Sequence, residues 1–317
     1  MRILLVKTSS LGDVVHNLPV AADLARQLPG AAVDWCVEEG FADIPRLSPH
    51  VRNVIPLAIR RWRRHLLSPQ TWQEIGALRR TLQAGSYDAV LDTQGLLKSA
   101  LVARQAPGRL AGYDRESARE PLAARFYDAR FAVPRDQHAV LRNRQLAAAA
   151  FGYTVPAVLD YGISAPAISA PWLPDIPVAI CLTATSRDDK LWPEAHWVAL
   201  GRELGRRGLR AVFPAGNASE RTRAARIAAA IPDAIPAPPL SIRELAGLLG
   251  RARVTIGVDT GLAHLSAALG VPTIALYAAT RPALTGVVGS GFVRNLGDAG
   301  AIPDVAEVMQ AVHEVHG

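Results

Sequence analysis

Val254-Thr255-Ile256-Gly257-Val258-Asp259-Thr260-Gly261-Leu262-Ala263-His264 runs without charge for five residues, turns polar at Asp-Thr-Gly, then resumes in a helical pattern. An apolar run without alternation is what a parallel strand buried on both faces requires. The break therefore reads as a strand that hands its chain directly to a helix. The first N–H groups of such a helix have no partner within it, and its dipole adds partial positive charge, so a diphosphate suits this end. Gly261 lets a ligand approach the backbone, and His264 follows one turn on. Taken alone, Asp-Thr-Gly is short enough to arise by chance, and His264 fits a packed core histidine equally well.

Similar runs recur at Arg2–Val6, Val33–Val37, Ala89–Leu91, Val178–Leu182, Arg210–Phe213 and Thr273–Tyr277, each followed by a turn and a helical stretch. One such helix is Glu194–Arg207, with Trp197, Leu200 and Leu204 on one face. The alternation defines an α/β chain built from two Rossmann-like, doubly wound domains facing across a cleft. The stretch from Gly162 to Pro174 carries three prolines among small residues and reads as a linker. The domains are accordingly expected over 1–161 and 177–317, with residues 162–176 between them and the last helix packing back on the N-terminal domain.

At 317 residues, half of them apolar and a fifth charged, the chain can fill two cores. Its net charge of +7 points to an anionic partner without choosing among nucleic acid, membrane and phosphorylated substrate. Two cysteines, Cys36 and Cys181, lie in apolar runs and read as buried reduced thiols. The apolar start is too short for a signal-peptide core, and Leu262–Thr280 is broken by His264, Gly270 and Pro272. A cytoplasmic protein whose membrane contact is peripheral is expected.

Three further segments carry candidate chemistry. Lys7-Thr8-Ser9-Ser10-Leu11-Gly12-Asp13 follows the first strand and supplies hydroxyls, N–H groups and a carboxylate. It is neither G-x-G-x-x-G nor a P-loop; Asp13 fits a helix cap or a general base. Thr183-Ala184-Thr185-Ser186-Arg187-Asp188-Asp189-Lys190 follows another strand, and Arg187 and Lys190 can neutralise phosphates or sit in a solvated, charge-balanced loop. Arg60-Arg61-Trp62-Arg63-Arg64-His65 is a basic run that fits an exposed face or a small polyanion held by guanidinium forks. No helix-turn-helix, zinc-finger or RNP pattern accompanies it, so nucleic acid is not expected. Arg119 and Arg125 extend the basic set. No Asp-x-Asp occurs and the eight histidines form no ligand cluster, so no metal and no cofactor is expected.

Taken together, these segments, with Val37-Glu38-Glu39-Gly40-Phe41 and Ala118-Arg119-Glu120-Pro121-Leu122-Ala123, resemble the lipopolysaccharide heptosyltransferases nearly from end to end. This is a family of inverting, metal-independent glycosyltransferases of the GT-B fold. The likeness is greatest to its heptosyltransferase I branch; heptosyltransferase II or a transferase using another nucleotide sugar is the alternative. A non-catalytic binder of nucleic acid or anionic lipid rests on charge alone. The resemblance implies that ADP-L-glycero-D-manno-heptose donates heptose to the inner Kdo of Kdo2-lipid A, in lipopolysaccharide core biosynthesis at the inner membrane. It implies Asp13 as catalytic base and Lys190 as a second catalytic group stabilising the departing ADP. Donor contacts fall to Thr185, Ser186, Lys190, Glu220, Asp259, Thr260, Gly261 and His264. Acceptor contacts fall to Ser10, Gly12, Arg60, Arg61, Arg63, Arg64 and Arg119. Two departures stand out. Ala278-Ala279-Thr280-Arg281-Pro282 replaces the family's Gly-Pro-Thr-Asp-Pro turn, so that loop is not carried over. Thr183-Ala184-Thr185 replaces a histidine-led entry, which leaves the donor contacts there open.

Overall fold

The computed structural model describes residues 1–185 and 187–315, and the chain divides into two compact units, Met1–Ile163 and Ser164–Gly317. In the first unit the strands are β1 (Arg2–Val6), β2 (Ala32–Glu38), β3 (Val51–Leu57), β4 (Ala89–Asp92), β5 (Arg109–Tyr113) and β6 (Ala129–Phe131). They form one all-parallel sheet in the order β3-β2-β1-β4-β5-β6. Ile3, Leu4, Leu5 and Val6 are wholly buried, as strands covered on both faces must be. The strand order reverses between β1 and β4, where a doubly wound sheet opens its ligand crevice at the strands' carboxyl ends.

The second unit repeats the plan. Its strands are β7 (Val178–Leu182), β8 (Arg210–Phe213), β9 (Ile235–Pro236), β10 (Ala252–Val258), β11 (Thr273–Tyr277) and β12 (Val293–Gly297). Their order is β12-β11-β10-β7-β8-β9, again all parallel, with the reversal between β7 and β10. Trp197, Leu200 and Leu204 of helix Glu194–Arg206 are buried in this core, on the face their spacing defines. Helix Gly261–Ala268 is fixed from beneath by hydroxyls: Ser266 Oγ lies 2.8 Å from Thr255 Oγ1 on β10 and 2.9 Å from Thr273 Oγ1 on β11.

The extra strands are those whose composition hides them. β3 reads Val-Arg-Asn-Val-Ile-Pro-Leu and lies at a sheet edge, where Pro56 costs no ladder bond. β12, Val-Arg-Asn-Leu-Gly, is the opposite case of the same kind, a half-exposed edge. β5 carries Gly112, where a Cβ would stand 2.4 Å from the Tyr127 ring, so glycine is required there by packing. The expected linker is also more tightly held than its prolines imply. Pro166 O and Ile168 lie over helix Ile242–Leu249 at Gly247, where a Cβ would approach each to 2.9 Å. The last helix, Val305–Glu314, belongs to the second unit. Its apolar face, Val308, Met309, Ala311 and Val312, is buried in the second unit's own core. Both cysteines are buried and free, and burial pushes the Cys36 thiol up to about 12 and Cys181 up as well.

One polar contact in the first unit bears on stability. Arg144 grips Asp23 bidentately at 2.7 and 3.0 Å and donates to the carbonyls of Pro156 and Val158 at 2.8 and 3.0 Å. The pair joins helix Leu18–Gln27 to helix Ala139–Phe151 and is almost fully buried. Asp23→Ala strands the guanidinium without its partner, and urea unfolding should show a loss of about 3–5 kcal/mol.

Candidate active site

Two groups of polar side chains stand at the two points where strand order reverses, one in each unit. In the first unit, β1 ends at Val6 and the chain turns polar through Lys7-Thr8-Ser9-Ser10 into helix Leu11–Val15. Gln94, just beyond β4, accepts from the Thr8 and Ser9 N–H groups through Oε1 at 2.9 and 3.2 Å, so the β4 loop pins the β1 loop across the switch point. Asp13 receives the Ser10 N–H at 2.9 Å and the Ser10 hydroxyl at 3.2 Å, both on Oδ2. Arg119 Nη1 reaches the same oxygen at 3.3 Å. Oδ1 has no partner among the described residues. Thus the capping role and an available carboxylate oxygen coexist in one residue.

The proton affinities here follow from burial and charge. Burial favours the neutral form of Asp13, but Lys7, Arg119 and the Ser10 hydrogen bonds outweigh it and hold the carboxyl below its usual range. Lys7 is buried, with Nζ donating to Thr93 O at 2.9 Å and to Asn143 Oδ1 at 3.4 Å. Burial lowers its ammonium to about 8, against the opposing pull of Asp13. Beneath the loop, Asp92 accepts from Ser99 Oγ and Tyr127 OH, each at 2.8 Å, and from Gln94 N at 2.8 Å. Burial nevertheless raises its carboxyl.

Arg119 is held by its neighbours. Gly95 takes φ +67°, and a Cβ on it would lie 3.3 Å from Arg119 N and from the Tyr113 ring. Glu120 closes the contact: its N–H donates to Gly95 O at 3.0 Å, and its carboxylate accepts from Leu97 N at 2.6 Å. Along the same strand ends, Glu38 N–H donates to Thr8 O at 3.1 Å, and Glu38 Oε1 accepts from Arg60 N at 2.9 Å. Burial raises the Glu38 carboxyl, with Arg60 and Lys98 opposing. Arg60 stacks 5.0 Å above the Phe41 ring. Arg61 is matched by two carboxylates, Glu39 at 3.1 Å and Glu74 at 2.9 Å. Arg63 and Arg64 are exposed. Ser10 and Gly12 sit at the start of the Asp13 helix, Gly12 O taking the His16 N–H at 2.8 Å.

The second unit gathers a polar cluster around Asp259. Lys190 Nζ and Thr280 Oγ1 both reach Asp259 Oδ2 at 2.7 Å, and Thr185 Oγ1 donates to Asp259 O at 2.8 Å. Thr260 caps helix Gly261–Ala268, whose leading N–H groups lie beside this ion pair, and His264 is buried one turn further. Arg223 braces the loop from behind by donating to Thr183 O at 2.7 Å and Trp192 O at 2.8 Å. Glu220 stands apart from the ion pair. It closes the turn before helix Ala218–Ala229, accepting from Gly216 N at 2.8 Å and Asn217 Nδ2 at 2.7 Å. Ser186 lies outside the described residues. Arg281, the departure noted in the sequence, is largely exposed and 3.9 Å from Asp298.

Sequence reasoning missed Gln94, Glu120, Arg223 and Thr280. Thr280 lay in the very loop set aside for its divergence, yet its hydroxyl is the part that meets Asp259. Among the described residues no group of three or more His, Cys, Asp or Glu side chains could hold a metal ion.

A family model of glycosyltransferase family 9 (heptosyltransferase) matches residues 75–312, well over half of the sequence, and the chain belongs to that family. Lipopolysaccharide heptosyltransferase 1 of Pseudomonas aeruginosa PAO1 is 48% identical over 291 residues, 91% of this chain and 82% of that protein. The solved structure of E. coli heptosyltransferase WaaC with ADP matches with a TM-score of 0.92 and 41% identity, covering 99% of this chain and 100% of that one. WaaC with ADP-2-deoxy-2-fluoro heptose matches with a TM-score of 0.89 and 40% identity over 99% of each chain. The two parallel sheets are thus those of a GT-B-type glycosyltransferase.

Gly95→Ala places a side chain at positive φ against Arg119 N. It should lower unfolding stability by about 1–3 kcal/mol in urea titrations, whereas Gly40→Ala, with open space around the added carbon, should be close to neutral.

Proposed function

We propose that this chain transfers L-glycero-D-manno-heptose from ADP-heptose to the inner Kdo sugar of Kdo2-lipid A, with inversion and without a metal. The observation that carries the reading is Asp13, a carboxylate held ionised by Lys7 and Arg119, with Oδ2 tied down and Oδ1 open. Inversion needs one such base, which takes the proton of the attacking hydroxyl as the new glycosidic bond forms and the bond to ADP breaks. The names of the similar proteins support the sugar and the nucleotide. Their 1-type designation favours the first transferase over heptosyltransferase II.

In this reading the developing charge on ADP falls on Lys190 and on the helix end at Thr260 and Gly261, and no cofactor takes part. Asp259 orients Lys190 while Thr280 and Thr185 hold Asp259, so those hydroxyls act by positioning. Glu220 would meet the adenosine ribose with lone pairs its cap leaves open, and His264 the donor's phosphate end. Ser10, Gly12, Arg60, Arg63, Arg64 and Arg119 would receive the anionic acceptor. Arg61, already matched by two carboxylates, would do so only by exchanging them. Among the described residues no helix is long and apolar enough to cross a membrane, and the reading has the chain reach its lipid-linked acceptor peripherally.

The deciding experiment offers a panel of nucleotide sugars with Kdo2-lipid A and follows the nucleotide released. ADP-heptose should turn over best; preference for another sugar or base would refute the assignment. Asp13→Asn should lower kcat by about 10²–10⁴-fold with donor and acceptor still bound, and near-wild-type kcat would remove Asp13 as the base. The pH profile gives an independent check. Asp13 works ionised, and its carboxyl lies low because cations face it, so activity should fall only below the ordinary carboxylate range. Arg119→Met removes a cation and raises that carboxyl, so the acid limb of kcat/KM should move to higher pH.

A further inference from the structure

Beyond the arginine run the chain forms a short tip with an unusual surface. Leu67 is fully exposed, Leu66 54% exposed and Trp72 61% exposed. Single exposed apolar side chains are ordinary, but three large ones within seven residues are a patch. The tip is ordered. His65 N donates to Trp62 O at 2.9 Å, Ser68 N to His65 O at 3.0 Å and Thr71 N to Ser68 O at 3.1 Å. Trp72 Nε1 donates to Leu66 O at 2.8 Å. The indole N–H and one tip carbonyl thereby satisfy each other, which lowers the cost of taking both out of water.

Charge and position identify the occupant. Exposed Arg63, Arg64 and His65 directly precede the two leucines. Leucines and an indole beside cations match the layering of a bilayer surface, apolar within, aromatic at the boundary and anionic at the headgroups. The tip follows β3 and therefore lies at the carboxyl end of the first sheet. The contacts Thr8–Glu38–Arg60 tie that edge to the Asp13 loop.

We propose that Leu66, Leu67 and Trp72 insert into an anionic lipid bilayer, with Arg63 and Arg64 at its headgroups. The tip then delivers the first unit's polar edge to an acceptor embedded in that bilayer; this last step rests on the function proposed above, whereas insertion does not.

The test is sedimentation of the whole chain with phosphatidylethanolamine–phosphatidylglycerol vesicles lacking any acceptor. Wild type should co-sediment, less in high salt and less with phosphatidylcholine vesicles. Replacing both Leu66 and Leu67 by serine should reduce the vesicle partition about tenfold or more. Binding should shift tryptophan emission to shorter wavelength, and Trp72→Phe should abolish most of that shift. The double variant should turn over a soluble, deacylated acceptor at the wild-type rate while losing a similar factor on the vesicle-embedded one. Equal partition of the double variant, or no wild-type binding, overturns the proposal. So does self-association of the wild type that the double variant lacks, in the absence of vesicle binding, since the patch then faces a second copy. If wild type fails on every acceptor yet binds vesicles through the tip, the function proposed above fails and insertion stands.

Discussion

Parallel sheets covered on both faces have little room for charge inside the layer, and that constraint arranges the polar sites of this protein. β1, β7, β10 and β11 are buried along nearly their whole length. Charge enters chiefly where a strand ends, the buried Asp34 of β2 with its partner Arg52 being an exception, and two strands leave in opposite directions only where the order reverses. Asp13 follows β1 and Gln94 follows β4; Lys190 follows β7 and Asp259 follows β10. Each pair flanks one reversal. The hydroxyls of Thr255, Ser266 and Thr273 extend the same logic downward, since polar side chains under the Gly261 helix satisfy one another instead of seeking water.

How much of this could be read from the sequence follows from the same constraint. The central strands announced themselves because burial on both faces demands continuous Val, Ile, Leu and Ala. The edge strands β3 and β12 did not, because one side meets solvent and admits Arg, Asn and Pro. The loops that follow central strands were legible as sites since polarity breaks sharply there. What stayed hidden were side chains that come from elsewhere in the chain to complete the loops. Gln94 is 86 residues from Thr8, Thr280 is 21 from Asp259, and Arg223 is 40 from Thr183. No local pattern marks such partners. Thr280 makes the point most directly: the residues around it diverge in charge, while the hydroxyl that meets the Asp259 carboxylate is present.

The net charge of +7 also looks different once partners are assigned. Arg144 and Arg61 are matched by carboxylates, and Arg223 is absorbed by carbonyls and Glu194. These guanidinium groups serve as braces, using the fork geometry that makes arginine suited to two acceptors at once. The arginines that remain exposed at the edge of the first sheet, Arg63 and Arg64, follow directly on helix Ile59–Trp62. Their attraction for an anionic surface falls with ionic strength.

If Asp13 is the base proposed above, its contact with Arg119 would make basicity depend on occupancy. While the guanidinium rests against Oδ2, it lowers the carboxylate's affinity for a proton. A phosphate or carboxylate group of an incoming ligand competes for that same guanidinium. Drawing Arg119 away would strengthen the base at the moment a hydroxyl arrives to be deprotonated, and return it to a weaker base when the site empties. Glu120 anchors the backbone beside Arg119 to Gly95 and Leu97, which fixes the root of that side chain. On the function proposed above, the side chain would act as a proton-affinity regulator whose signal is the arrival of negative charge.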